Sequence, residues 1–221
     1  AIDVRQRSLE YMSGVADSES PDAEALDYLE RCAKFGVSLS PMLTWWRRMT
    51  NFGDSALKSD PRMKYVPAAV RAAWLVPKSP VDFGLDFGST EERRKPSRVE
   101  IERVYRLVAM TRQANVEILA GTDTGDPYTV PGATLQDELV ELVRAGLTPR
   151  EALASATVAP ARWLGWRATM GAVEKGKVAD AVLLDANPLE NIANVRKISA
   201  VFARGRYYSR KDLDGILAAV K

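Results

Sequence analysis

The chain has 221 residues, 46% of them hydrophobic and 27% charged, a formal net charge of +2, and no histidine. That length allows one domain or two small ones. The near-neutral balance argues for neither nucleic acid nor an acidic membrane surface as a partner. No apolar run approaches the roughly 20 residues that span a bilayer.

Cys32 is the only cysteine, so no internal disulfide forms. It shares a helical face with Leu26 and Leu29 and reads as a small buried hydrophobe. No histidine is present to activate it, and a reducing, cytoplasmic setting fits. Ala1 is not a methionine, and no signal-peptide pattern follows. The chain reads as one whose first part is absent.

In chain order, residues 4 to 12 fit a short strand and the loop that leaves it. Ser20-Pro21 reads as an N-cap and first helical residue, with Leu26, Leu29 and Ala33 in helical spacing up to Gly36, a C-terminal stop. Residues 37 to 41 read as the next strand, ended by Pro41. Residues 44 to 98 are less regular. They hold Trp45, Trp46 and Trp74, a helix from about Val66 to Leu75, and a long loop from Pro77 to Pro96. Glu91 to Lys95 reads as a solvated charged loop, and Gly84-Leu85-Asp86-Phe87-Gly88 lacks the context of a phosphate loop.

A helix is predicted from Arg98 to Ala114, with Ile101, Val104, Tyr105, Val108 and Ala109 on one face. It feeds an apolar strand, 116 to 121, that ends in Gly121-Thr122-Asp123. Leu135, Leu139, Leu142 and Val143 mark the next helix, closed by Gly146. Thr148-Pro149-Arg150-Glu151 is a capping box with proline at the first helical position, and residues 160 to 164 make a short helical piece. The pattern then changes: a β-arc at 171–177, a strand at 181–184, a turn at 185–188, a hairpin from Ile198 to Tyr208 split by Gly205, and a helix from Asp212.

Asp123 is the candidate of greatest chemical interest. An apolar run ending in Gly-Thr-Asp reads as a buried parallel strand that delivers a carboxylate at its C-terminal tip, where α/β barrels do chemistry. A carboxylate there can hold a metal and take a proton from water. A catalytic zinc site needs about three protein ligands, usually including histidine, and this chain has none.

The run Ala120 to Gly125, then Glu138-Leu139, Val143 to Leu153, Ala156-Thr157, Pro160-Ala161-Arg162, Leu164-Gly165 and Gly171 to Leu189, resembles the amidohydrolase superfamily. The likeness is greatest to its imidazolonepropionase-like and prolidase-like branch, and it covers most of residues 116–208. It implies an α/β fold: the C-terminal part of a (β/α)8 barrel, about strands six to eight, plus the C-terminal part of a small β-sandwich. The organisation implied is a partial barrel over 1–165, a sandwich portion over 166–211 and a C-terminal helix over 212–221.

The resemblance also assigns roles. Asp123 matches the aspartate after the eighth strand that binds metal and acts as general base. Arg7 to Met12 resembles the end of the sixth strand, with Tyr11 where the family has a histidine. A phenol of pKa about 10 is a poor metal ligand at pH 7. Thr122 and Thr124 are candidates to hydrogen-bond Asp123, and Tyr11, Trp45 and Tyr128 are candidate substrate contacts, with Trp46 and Asp126 on the same loops.

The function implied is hydrolysis of a C–N bond in a small amide, cyclic amide or dipeptide-like substrate by a metal-activated water, the metal being zinc. Ligands from outside this chain would complete the site. The alternatives are a non-catalytic relative that has lost its metal site, and a fragment inactive by itself. An incomplete parallel sheet has open edges, so self-association, or association with a missing N-terminal portion, is expected.

Overall fold

The structure, a computed structural model, describes residues 6–12, 15, 21–74 and 98–220. The expected loop from Pro77 to Pro96, with its glycine-containing and charged stretches, lies outside them.

The first element is the strand β1 (Ser8–Glu10), followed by helix α1 (Asp22–Phe35) and strand β2 (Ser38–Ser40). α1 buries Ala25, Leu29 and Cys32 at helical spacing. The helix begins one residue later than expected, with Pro21 as N-cap. It ends in a Schellman motif: Gly36 takes φ 69°, its N–H donates to the Ala33 carbonyl, and the Val37 N–H donates to that of Cys32. The chain passes from this stop directly into β2, which pairs with β1 in parallel, Leu9 opposite Leu39.

After β2 come α2 (Leu43–Thr50), α3 (Ser55–Lys58), a 3-10 turn (Pro61–Tyr65) and α4 (Ala68–Ala73). The described part of the stretch expected to be irregular, residues 44–74, is thus largely helical. Trp45 and Trp46 lie on a helix and not on a loop. α5 (Arg98–Ala114) has the bounds its periodicity predicts, with the buried face at Arg103, Val104, Leu107, Val108 and Thr111. Ala109 is exposed; the stripe is rotated because α5 packs against both α1 and α2.

α5 stops as α1 does, with Asn115 at φ 55° and the Val116 N–H on the Thr111 carbonyl. The 116–121 segment then runs parallel to β2 on the side away from β1. The Leu39 N–H donates to the Glu117 carbonyl at 2.9 Å, and the Leu119 N–H donates to the Leu39 carbonyl at 2.8 Å. The order across the layer is β1, β2, 116–121.

Helices α6 (Ala133–Arg144), α7 (Pro149–Ser155) and α8 (Val158–Trp163) follow. The Thr148–Glu151 capping box of α7 is present in both directions. The expected β-arc at 171–177 is instead a run of turns and bends. Gly171, at φ 90°, lies so close to α8 that a Cβ there would sit 2.7 Å from that of Ala161.

An antiparallel sheet forms from β3 (Ala181–Leu184), β4 (Ile198–Ala203) and β5 (Arg206–Ser209), in that order. The β4–β5 connection is the two-residue turn Arg204-Gly205, both at positive φ (51° and 78°), a twist that matches the strands it joins. A 3-10 turn (Ile192–Arg196) precedes β4 and packs on α6, and α9 (Arg210–Ala219) closes the chain.

The principal core lies between the parallel layer and α1, α5 and α6. Leu29, Leu39, Leu43, Leu107 and Leu142 are fully buried there, each such side chain being worth roughly 1.5–3 kcal/mol. A second cluster gathers Met49, Phe52, Met63, Val66, Trp74, Tyr128 and Val130. Among the described residues no helix is long and apolar enough to cross a membrane.

Candidate functional site at the strand tips

Parallel strands in register deliver their C-terminal ends to one side of the layer, so Tyr11, Met42 and Asp123 emerge together. All three have left-handed backbone, with φ of 61°, 53° and 46°. Such values are uncommon outside glycine and concentrate where surrounding structure over-determines the chain. Here the tips are tied to one another. The Tyr11 N–H donates to the Ser40 carbonyl at 2.8 Å. Gly121 approaches β2 so closely that a Cβ would sit 2.4 Å from the Ser40 Oγ.

The Tyr11 hydroxyl donates a hydrogen bond to Asp123 Oδ2. Burial, then that hydrogen bond and the neighbouring charges of Asp123, Asp126 and Glu10, hold the phenol above its ordinary range. Tyr11 is therefore a neutral donor. Its ring meets Trp45 edge-on at 4.8 Å between centroids, and Trp45 meets Trp46 the same way at 5.5 Å. The Trp45 indole donates to Asp126 Oδ2 at 2.5 Å, and the Trp46 indole to the Tyr11 carbonyl at 3.0 Å. Both tryptophans project from α2.

Three expected residues, Asp123, Tyr11 and Trp45, thus come together. Tyr128 sits 6% exposed in the second core cluster, its ring against Phe52 and Trp74 at 5.5 and 5.8 Å. Thr122 and Thr124 share a hydrogen bond of 2.8 Å with each other. Trp74, the residue that caps the C-terminal end of α4, donates to the Gly125 carbonyl and anchors the loop after Asp123.

Glu138 on α6, part of the run that carries the resemblance but given no role by it, belongs with this site. It is fully buried, and its two carboxylate oxygens accept the Leu43 N–H at 2.9 Å and the Thr44 N–H at 2.7 Å. Those amides open α2, whose N-cap, Met42, supplies no side-chain cap. Burial first, with Glu141 nearby, pushes the Glu138 carboxyl up to about 7 against the pull of those amides. The signal was legible: a glutamate at 138, between Leu135, Leu139 and Leu142, lies on the apolar stripe of its helix, where a charge needs partners.

The donors at the tips do not fit a metal by themselves. Among the described residues no three His, Cys, Asp or Glu side chains converge on one point. Asp123 Oδ2 is engaged by Tyr11, and Asp126 by Trp45.

A sequence model of the amidohydrolase family matches residues 68–207, more than half of the chain. Uncharacterized proteins of Mycobacterium tuberculosis (strain ATCC 25618 / H37Rv) and Mycobacterium bovis (strain ATCC BAA-935 / AF2122/97) are each 32% identical to it over 106 residues. That stretch is 48% of this chain and 27% of each of those proteins. Among solved structures, the bottromycin amidohydrolase superposes with TM-score 0.66 at 24% identity, over 97% of this chain and 49% of that one. A Xaa-Pro dipeptidase gives TM-score 0.62 at 22% identity, over 95% of this chain and 41% of that one. Molinate hydrolase gives 0.60 at 20%, over 99% and 41%. The chain spans less than half of each of these solved chains, and the likeness establishes a shared mixed α/β fold. With the family match over residues 68–207, Asp123 included, the chain belongs to the amidohydrolase family.

Proposed function

We propose that this chain is the C-terminal portion of a C–N bond hydrolase, with Asp123 as the carboxylate that handles the proton of the attacking water. The observation that carries this reading is the convergence of Asp123 and Tyr11 at the tips of two parallel segments, walled by Trp45. Asp123 accepts a proton as water attacks the carbonyl carbon, then gives it to the leaving nitrogen as the C–N bond breaks. Tyr11, a neutral donor, orients the carboxylate. The substrates that fit are small amides, cyclic amides or dipeptide-like molecules, their apolar part lying against the tryptophan.

On this reading β1, β2 and 116–121 correspond to the sixth, seventh and eighth strands of a barrel. The chain divides into a barrel part over 1–165, a sandwich part over 166–211 and a terminal helix, and it works in a reducing, cytoplasmic compartment. With no histidine in the sequence and no three Cys, Asp or Glu side chains converging among the described residues, the zinc of the complete enzyme would need further donors, brought by an N-terminal portion or another copy. The outer edge of 116–121 supports such an association. Among the described residues the Ile118 N–H and carbonyl have no backbone partner, and they border a cavity of about 370 Å³ between this edge and α7 and α8. Calorimetric titration of zinc into the isolated chain tests the partition: no stoichiometric tight binding is expected, and one tight equivalent would contradict it.

One observation favours a second reading, a non-catalytic relative. The Tyr11 hydroxyl occupies the Asp123 oxygen that a metal or water would use. Zinc uptake by the complete assembly, and its loss on Asp123→Asn, separates the two; no uptake supports the non-catalytic form.

A further inference from the structure

Helix α2 poses a problem that its own sequence does not solve. Its first turn has free backbone N–H groups like any helix N-terminus, yet its N-cap, Met42, offers no capping side chain. The solution comes from about 95 residues away: Glu138 on α6 accepts from both Leu43 and Thr44. Burying a carboxylate is costly unless it is hydrogen-bonded, and this one is fully enclosed. A carboxylate kept at that cost marks a position where location matters.

What it locates is the aromatic wall of the strand-tip site. Trp45 and Trp46 follow immediately after the two capped amides. Trp45 spans from the Tyr11 ring to Asp126, and Trp46 reaches the Tyr11 backbone carbonyl. A helix pinned at its first turn holds both indoles, and through them Tyr11, in register with Asp123. We propose that Glu138 is the positioning residue of this site: by capping α2 from behind, it sets Trp45 over Tyr11 and Asp126, and so fixes the shape of the substrate wall. Glu138 touches no reacting atom. The proposal rests on the strand tips being the functional site, but its test needs no turnover.

The probe is the set of five tryptophan indole N–H signals in a proton–nitrogen correlation spectrum of the full chain, with Trp45 assigned by its loss in Trp45→Phe. In Glu138→Gln one acceptor becomes an NH2 facing a backbone N–H. The expected result is a shift or broadening of the Trp45 and Trp46 signals while those of Trp163 and Trp166 stay in place, with partial return in Glu138→Asp. An unmoved Trp45 signal, or equal movement of all five, overturns the proposal. Should the variant not fold, the unaltered chain decides. Leu43 and Thr44 amide hydrogens must exchange at least tenfold more slowly than unbonded first-turn amides; exchange as fast as those overturns it. If the indoles respond while Asp123→Asn leaves hydrolysis by the complete protein intact, the positioning stands and the catalytic assignment fails. The reverse outcome leaves Asp123 in place and removes Glu138.

Discussion

The Tyr11 hydroxyl and the Asp123 carboxylate, 112 residues apart in sequence, meet in a hydrogen bond across the tips of two parallel segments. Neither residue reaches the other by local structure. Each turns through a left-handed backbone conformation to do so, and β2 between them sets the spacing. A hydrogen bond to a charged acceptor contributes roughly 1.5–3 kcal/mol. A double-mutant cycle of Tyr11→Phe and Asp123→Asn, followed by urea unfolding, is expected to give a coupling of about 1–2 kcal/mol, reduced because both groups touch solvent. Additive single effects would mean the contact contributes nothing.

Gly121 permits the close approach of the 116–121 segment to β2. Gly121→Ala forces a Cβ against the Ser40 hydroxyl and should cost about 1–3 kcal/mol by overpacking. Ser40→Ala removes the obstructing oxygen, so the double variant should melt higher than Gly121→Ala alone. Identical melting of the two would place the strain elsewhere.

Asp137 collects three guanidiniums: Arg48 at 2.7 Å, Arg62 at 2.8 Å and Arg196 at 2.8 Å. Arg62 has Asp60 as a second partner, but Arg48 has only 6% of its side chain exposed. Asp137→Ala strands that buried cation, a change that typically costs about 3–5 kcal/mol. Asp137→Asn keeps a hydrogen-bond acceptor and should cost less. Denaturant midpoints rank the two, and equal midpoints would show that the charge is immaterial.

Glu138 gives stability a definite pH dependence. Its carboxyl is raised from 4.5 to about 7 by burial, so between those values the folded chain binds more protons than the unfolded one. Stability from this group is therefore fully present below about pH 4.5 and falls as pH rises, by about 3 kcal/mol in total, levelling off above 7. The neighbouring charges are committed elsewhere: Arg47 and Tyr105 to Glu141, and Arg48 and Arg196 to Asp137. Urea unfolding from pH 4.5 to 8 should show this decline, and Glu138→Gln should remove it. The same slope in both proteins would refute the assignment.

The parts of the fold legible in the sequence are those whose signals are local. The α1 and α5 stops at Gly36 and Asn115, the Thr148–Glu151 box and the Arg204-Gly205 turn are each written within a few residues, and the elements they bound fall close to their predicted ranges. α2 was illegible because its cap comes from α6, and a helix start without a local cap leaves no mark. The run at 171–177 reads as a β-arc, but Gly171 lies in close contact with Ala161 of α8. At the candidate site, Asp123 stands out in the sequence by its motif and Tyr11 by its place in the strand-end pattern. Their hydrogen bond, and the helical setting of Trp45, depend on tertiary packing that periodicity does not encode.

The most direct test of the central claim is hydrolysis by the protein prepared with whatever polypeptide completes it in its natural context, assayed on a panel of dipeptides, N-acyl amides and cyclic amides. Loss of a general base typically slows turnover by about 10²–10⁴. Asp123→Asn is expected to lower kcat by at least ~10² while leaving the melting temperature within the range of Tyr11→Phe. Full turnover by Asp123→Asn on any substrate that the unaltered protein cleaves would contradict the account.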